Sequence, residues 1–184
     1  RIKIMDLKYS ITPAFVINFL KIECGNFKKK KQLILKELKK YPEKLNKDKT
    51  FYSNRGNTKN LHKKFIEIFS DEFNLMSEKF KAQICLQDVW SVSYKKNQYH
   101  VPHNHGSVGH AGIIYLNYSF DLPKTLYMQP WNNPNDKTYL CEPPVKEGDI
   151  MIVPQSIVHF TKPNLTSFKK RIISFDFHLK TKLS

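Results

Sequence analysis

The amino-acid sequence predicts an α+β fold in which a helical first half supports a second half built of β-strands. Apolar residues recur at helical spacing between residues 28 and 80. After residue 82, short segments rich in β-branched and aromatic residues alternate with Pro, Gly and Asn. The chain has 184 residues, 40% of them hydrophobic, which is enough for a buried core. We therefore expect a single domain over residues 1–184.

The first half, residues 1–81, is expected to be mainly helical support. Residues 1–26 carry an apolar stretch with a proline near its start, which predicts an extended segment. Residues 28–40 predict an amphipathic helix with a lysine-rich solvated face. Residues 41–57 are polar and hold Pro, Asn and Gly, so they predict a long loop. Residues 58–80 return to helical spacing, with a Ser-Asp pair that indicates a break and a restart.

The second half, residues 82–184, is expected to form the β-rich core. Seven segments have the composition of short strands: Ile84–Tyr94, Tyr99–His105, Ala111–Tyr118, Thr125–Met128, Thr138–Cys141, Asp149–Val153 and Arg171–Leu179. Several short strands joined by turns are typical of a β-sandwich or barrel.

The formal net charge of +15 points first to a nucleic acid or another anionic partner. However, 28 of the 31 basic residues are Lys and only three are Arg. Proteins that read nucleic acids favour Arg, whose planar fork bonds phosphates and guanine edges. The charge therefore favours a solvated surface, and a nucleic-acid partner stays open without being favoured.

The cysteines and the apolar runs bear on the compartment. The three cysteines lie far apart without a C-x-x-C pair, which favours reduced thiols. No apolar run reaches the roughly 18 residues that a membrane helix needs. No basic-then-apolar leader opens the sequence. These features predict a cytoplasmic protein without a membrane partner.

Four of the seven histidines fall within eleven residues, at His100, His103, His105 and His110. Residues two apart on a strand point to the same face, so His103 and His105 can approach one metal ion. A third candidate ligand is His159, which follows an apolar strand and a proline turn. Three protein ligands leave open positions for a substrate, oxygen or water.

Arg171 is the unusual basic residue of the β-rich half. Strand alternation places it on the same face as Ile173, Phe175 and Phe177, where an unpaired guanidinium would be costly. A carboxylate ligand fits the guanidinium fork. The alternatives are an internal salt bridge and a twist that lets Arg171 reach solvent at the start of the strand.

Together these motifs resemble the non-haem Fe(II)/2-oxoglutarate-dependent oxygenases. The motifs are His103-x-His105, then Ala111-Gly-Ile-Ile-Tyr-Leu, then Glu147-Gly-Asp-Ile-Met-Ile-Val-Pro, then His159 and Arg171. More narrowly, they resemble a prolyl-hydroxylase-like branch found in bacteria and phages. The resemblance covers roughly residues 50–179, and the set of spacings is more specific than any single motif.

The resemblance implies a double-stranded β-helix, or jelly roll, with iron at its open end. His103 and His159 match the two histidines of the family's metal triad. His105 occupies the position that is usually acidic, which is the main departure from the family. Three imidazoles leave the site one charge more positive, so Zn(II) or Ni(II) would compete with Fe(II).

The resemblance also implies residues for the cosubstrate. Arg171 matches the basic residue that holds the far carboxylate of 2-oxoglutarate. Tyr115 matches a tyrosine that shares this carboxylate, and Tyr94 resembles a second tyrosine on the cosubstrate side. Either tyrosine could instead be a core aromatic residue.

Three residues are candidates for the substrate side. His100 and His110 flank the ligands, although exposed loop histidines are the alternative reading. Trp131 lies in a proline-rich loop, Asp121–Lys146, that we expect to border the substrate entrance.

The implied function is an Fe(II)- and 2-oxoglutarate-dependent dioxygenase that uses O2. It would hydroxylate a C–H bond of a protein side chain or a small molecule and release succinate and CO2. Two alternatives remain at this stage. One is a non-catalytic metal-binding jelly roll, cupin-like or virion-associated, which the all-histidine triad motivates. The other is an oxygenase or binder directed to nucleic acid.

Overall fold

The predicted combination of helices and β-strands is confirmed, and the strands pair antiparallel. A computed structural model describes residues 17–58, 60–132 and 135–180. The helices are α1 (Phe27–Leu38), α2 (Leu61–Ile68) and α3 (Ser70–Phe80). The strands are β1 (Leu20–Glu23), β2 (Lys44–Leu45), β3 (Tyr52–Ser53), β4 (Gln83–Tyr94), β5 (His100–His103), β6 (His110–Asn117), β7 (Thr125–Met128), β8 (Leu140–Cys141), β9 (Asp149–Pro154), β10 (His159–Thr161) and β11 (Lys170–Lys180).

The strands form two antiparallel sheets. The large sheet has seven strands in the order β1-β9-β6-β11-β4-β3-β2. Strand β11 lies between β4 and β6, pairs with both over most of its length, and is therefore the central strand of this sheet. The small sheet has four strands in the order β5-β10-β7-β8.

The large sheet buries side chains on both of its faces. One face packs against the three helices, whose inward residues include Ile34, Phe65 and Met76. We call it the helix face. The opposite face packs toward the small sheet with residues such as Trp90 and Tyr115, and we call it the cleft face. Because side chains alternate along a strand, neighbouring residues of each central strand serve opposite faces.

A glycine lets the helix face close tightly at its centre. Gly112 of β6 lies opposite Phe175 of β11 in the strand register. A Cβ atom on Gly112 would collide with the Phe175 ring, so only glycine leaves room for this aromatic side chain.

The first half departs from prediction mainly in residues 41–57, which were expected to form a loop. This segment contains β2 and β3, two-residue strands that extend the edge of the large sheet. Such short strands leave no periodic pattern in the sequence. Of the predicted extended segment 1–26, residues 1–16 lie outside the described residues. None of the three described helices has the length and apolar character needed to cross a membrane.

Candidate metal centre

Three histidines predicted from the sequence converge at one end of the two sheets. One ring nitrogen from each of His103, His105 and His159 lies within 4.8 Å of the others. His103 ends β5 and His159 begins β10, and the two residues are direct partners in the small sheet. His105 follows β5, and its backbone N–H donates to the Gln155 carbonyl at 3.0 Å. Strand pairing and one loop hydrogen bond thus bring the three imidazoles together.

The hydrogen bonds of the three rings define which nitrogen faces the shared space. The Nδ1 of His103 lies 2.9 Å from the Val101 carbonyl, and that of His159 lies 3.0 Å from the Ile157 carbonyl. The Nδ1 of His105 lies 2.6 Å from a carboxylate oxygen of Asp176. Each partner is an acceptor, so each Nδ1 carries the proton and each Nε2 keeps its lone pair. Metal-binding histidines have this arrangement.

Burial favours the neutral form that a metal ligand requires. Burial, together with a smaller effect of the nearby His103, lowers the pKa of His159 to about 3. Burial also lowers the pKa of His103 below its ordinary value. Both imidazoles are therefore uncharged at neutral pH and can donate a lone pair to an ion.

The triad lies in a cleft of about 380 Å³. The cleft is lined by Lys44, Leu45, Asn46, Lys47, Phe51, Ser53, Arg55, Asn57, Trp90, Val92, Tyr94, His100, His103, His105, Ile113, Thr125, His159, Thr161, Ile172 and Ser174. Its polar lining is cationic or neutral, since none of these residues is an Asp or a Glu. Residues 44–57, predicted as a loop, form one wall of the cleft.

His100 lies in the cleft, as the sequence suggested. Its ring stacks on His103, with centroids 3.9 Å apart, and packs at an angle of 37° against Phe51, with centroids 4.1 Å apart. Its Nδ1 is 3.4 Å from the Tyr94 hydroxyl. Burial lowers the pKa of His100 to about 3, so this fourth imidazole is also neutral.

The structure does not place Arg171 in the cleft, which corrects the expected cosubstrate contact. Arg171 lies on the helix face of β11, opposite Ser93 of β4. Its Nε donates to Glu43 Oε1 at 3.0 Å, and the hydroxyls of Ser91 and Ser93 donate to the same oxygen. The internal salt bridge, which the sequence left open as the alternative, is the arrangement found. The face of β11 that carries Arg171 is apolar because the helices pack against it.

The preceding residue, Lys170, points to the cleft face and was missed by the sequence reasoning. Its side chain is fully buried, and Nζ donates to the Pro123 carbonyl at 2.8 Å. Among the described residues, no carboxylate lies within ion-pair distance of this ammonium. Burial lowers the pKa of Lys170 to about 7. A buried cation without a counter-ion is costly, and it is a suitable partner for an anionic ligand.

The two predicted cosubstrate tyrosines surround this lysine. The ammonium of Lys170 lies 5.3 Å from the ring centre of Tyr94 and 5.9 Å from that of Tyr115. Tyr94 lines the cleft, and both side chains are buried. Burial raises the pKa of Tyr115 to about 12, so its hydroxyl stays protonated and can donate to an anion.

Two of the predicted substrate-side residues lie elsewhere. His110 begins β6 on the helix face, where it stacks on Phe177 with centroids 5.2 Å apart. Trp131 lines a separate groove with Tyr139 and Leu140. The proline-rich loop thus borders this second groove with its residues 129–131 and 139–141, while Asn133 and Pro134 lie outside the described residues. Alternation along β6 explains the placement of His110, because Ala111 and Ile113 occupy the cleft face.

Asp176 and Arg55 also belong to the centre and had no role in the sequence analysis. Asp176 bonds His105, and Arg55 Nη2 lies 3.6 Å from Asp176 Oδ2. The Arg55 guanidinium lies 4.2 Å above the Trp90 ring. A signal was present in the sequence: Asp176 is an acidic residue between two phenylalanines, Phe175 and Phe177.

Comparison with known proteins identifies the fold. No protein-family model matches the sequence, and no curated protein matches it. The structure of the non-haem α-ketoglutarate-dependent epimerase SnoN from nogalamycin biosynthesis matches with a TM-score of 0.69 and 8% identity, over 88% of this chain and 77% of that chain. HygX from Streptomyces hygroscopicus, with nickel and 2-oxoglutarate bound, matches with a TM-score of 0.65 and 12% identity, over 88% and 83%.

A prolyl-4-hydroxylase from Pseudomonas putida also matches. Its TM-score is 0.56 and its identity 11%, over 88% of this chain and 92% of that chain. At such low identities these similarities establish a shared fold. The chain therefore has the fold of the Fe(II)/2-oxoglutarate-dependent oxygenases, with a histidine triad in its cleft.

Proposed function

We propose that the protein is a non-haem Fe(II)- and 2-oxoglutarate-dependent oxygenase that hydroxylates a C–H bond. The observation that carries the proposal is the convergence of His103, His105 and His159 within 4.8 Å in the cleft of an oxygenase fold. We also infer that the two sheets form the double-stranded β-helix of that family and that the helices complete a single domain.

The donor set fits a divalent first-row transition metal. Three imidazoles with their Nδ1 atoms hydrogen-bonded present three Nε2 lone pairs to one point. Fe(II), Ni(II) and Zn(II) all accept imidazole ligands. Three protein ligands leave further coordination positions, which a chelating cosubstrate and oxygen require.

Lys170 replaces Arg171 as the proposed partner for the far carboxylate of 2-oxoglutarate. Its ammonium is buried on the cleft face, and a carboxylate would supply the missing counter-charge. Two neighbouring hydroxyls support this position. Thr125 Oγ1 lines the cleft, is buried and has no hydrogen-bond partner among the described residues. The Tyr115 hydroxyl is protonated and lies in the same buried cluster.

The chain's own residues would bind, orient and exclude water. When bound, iron and 2-oxoglutarate supply the oxidising chemistry, which consumes O2, releases succinate and CO2, and hydroxylates the substrate. The three histidines hold the metal in a neutral donor set. Lys170 and Tyr115 fix one end of the cosubstrate, while the apolar residues Val92, Ile113 and Ile172 restrict water in the cleft.

The proposal is tested with the purified protein under nitrogen. Addition of Fe(II) and 2-oxoglutarate should produce a visible charge-transfer band, and admission of air should yield succinate, measured by NMR. His159→Ala should abolish both signals, because it removes one ligand. Tight zinc binding without a band or succinate would contradict the proposal and favour a non-catalytic metal-binding module. The substrate is either a protein side chain or a small molecule, which screening for substrate-stimulated succinate formation distinguishes.

A further inference from the structure

We propose that Asp176 is a positioning residue of the metal centre. It orients His105 and supplies, through that imidazole, the negative charge that a carboxylate ligand at position 105 would bring directly. This inference rests on the metal-binding part of the proposed function and is independent of the cosubstrate and the reaction.

The hydrogen bond between these two residues is short and shielded. Asp176 Oδ1 lies 2.6 Å from His105 Nδ1, and the two side chains are only 8% and 3% exposed. A hydrogen bond to an ionised partner is about twice as strong as a neutral one, and burial limits competition from water. His103 and His159, in contrast, donate to backbone carbonyls, which carry no net charge. His105 is thus the one histidine of the triad with a charged partner.

The surroundings of Asp176 indicate that its carboxylate is retained despite a cost. Asp88 of β4 lies directly opposite Asp176 in the strand register. Like charges in this position destabilise a sheet, and burial increases the penalty. Arg55 reduces the repulsion, since its guanidinium lies 3.8 Å from Asp88 and 3.6 Å from Asp176. A neutral residue at position 176 would avoid the repulsion between the two carboxylates.

The charged groups beside His105 bear on the negative charge that an all-histidine triad lacks. Asp176 and Asp88 together with Arg55 carry one net negative charge beside His105, and the imidazole of His62 lies 3.7 Å from Asp88. Three imidazole ligands carry one negative charge less than two imidazoles and one carboxylate. Asp176, which is hydrogen-bonded to His105, therefore returns negative charge to the ion through that imidazole and keeps the His105 Nε2 lone pair directed at it.

The first experiment measures Co(II) affinity by anaerobic calorimetry for Asp176→Asn and Asp88→Asn. The asparagine at position 176 keeps the size and an acceptor oxygen but removes the charge. We expect Asp176→Asn to weaken Co(II) binding about tenfold, because the loss of a hydrogen-bond partner of a metal-bound histidine has an effect of this size. Asp88→Asn removes the same charge without touching His105, so a loss below about threefold is expected. Equal losses in the two variants would overturn the positioning role.

The second experiment repeats Asp176→Asn in a His105→Asp background. There the ligand brings its own carboxylate, which cannot donate a hydrogen bond to Asp176 and is repelled by it. Asp176→Asn should then leave Co(II) affinity unchanged or improve it. A purely structural role predicts the same loss in both backgrounds, and that result would contradict the proposal.

Folding is controlled by thermal unfolding of each metal-free variant. If Asp176→Asn does not fold, His105→Asp alone decides the question. The proposal expects the metal-free form of His105→Asp to be less stable than wild type, because its new carboxylate faces Asp176. A metal-free variant as stable as wild type would overturn the account.

These outcomes separate this inference from the proposed function. Co(II) affinity that depends on Asp176, together with no succinate formation, would leave Asp176 as a positioning residue and refute the oxygenase. Succinate formation together with a Co(II) affinity that does not depend on Asp176 would support the oxygenase and refute the positioning role of Asp176.

Discussion

The two faces of strand β11 differ in what they contribute to the molecule. The helix face carries Arg171, Ile173, Phe175 and Phe177, and the cleft face carries Lys170, Ile172, Ser174 and Asp176. On the helix face, every charge is paired and the remaining side chains fill the core. On the cleft face, Lys170 has no counter-ion among the described residues, and Asp176 faces a second carboxylate. The first face contributes mainly stability, and the incompletely compensated charges of the second face are the basis of the proposed function.

The difference between the two faces explains why strand alternation and the family resemblance favoured Arg171 as the cosubstrate contact, although Arg171 lies on the helix face. The more apolar side of a strand is usually taken as the interior. Here both sides are buried, and the more apolar one lies beneath the helices. A binding site needs polar groups, so its face is the less apolar of the two. The unpaired Lys170, rather than the paired Arg171, therefore carries the proposed function.

The largest effect on stability is expected from the centre of the helix face. Phe175→Ala removes a ring that packs against Phe65, Phe73 and Gly112. We expect a loss of about 3–5 kcal/mol in the free energy of unfolding, measured in urea. The folded variant should bind metal as wild type does. A metal affinity that falls with the stability would show that the two faces are not independent.

A smaller loss is expected from Arg171→Met. This change leaves the partly buried Glu43 without its guanidinium, which should cost about 2 kcal/mol. Burial raises the pKa of Glu43, but the Ser93 hydroxyl and Arg171 together bring it below its ordinary value. The contribution of the pair is therefore present above pH ~4.3 and is lost as the pH falls further.

Urea titrations between pH 3 and pH 7, each ~1 unit apart, measure this difference for wild type and Arg171→Met. The two stabilities should converge at the acidic end. A constant difference would mean that the Glu43 pair does not account for the loss.

The smallest effect has the opposite sign. Lys170→Met removes a buried cation and should stabilise the ligand-free protein by about 1 kcal/mol at neutral pH. The pKa of Lys170 falls from 10.5 to about 7 on folding, so between these values the unfolded state binds more protons. Wild-type stability should rise with pH across this window, while Lys170→Met should show no such rise. Thermal unfolding at several pH values measures the slope, and parallel curves would refute a buried ammonium.

Much of the fold follows from periodicity. The helical spacing predicted α2 and α3 with their break, and alternation predicted most strands of the second half. Strands β2, β3 and β10 did not follow, because two or three residues carry too little pattern. Strands β3 and β10 are specified by pairing with longer neighbours, and β2 by pairing with β3, and only the folded chain supplies these partners.

The metal site was more predictable than its surroundings. The close spacing of His103 and His105 and the position of His159 after a buried strand predicted the triad. The expected strand ends at His103, and a loop hydrogen bond to the Gln155 carbonyl holds His105 in place instead. Lys170 and Asp176 were not predicted, because their importance depends on which face of β11 meets the cleft. That information lies in the packing of helices on the opposite face.

The central claim is tested most directly by titrating 2-oxoglutarate into the nickel-loaded protein and into Lys170→Met and Arg171→Met. These neighbouring residues are both basic, and their side chains lie on opposite faces of β11. The account predicts at least ~100-fold weaker binding for Lys170→Met, since a buried charge partner is lost, and nearly unchanged binding for folded Arg171→Met. Strong binding by Lys170→Met together with loss in Arg171→Met would contradict it.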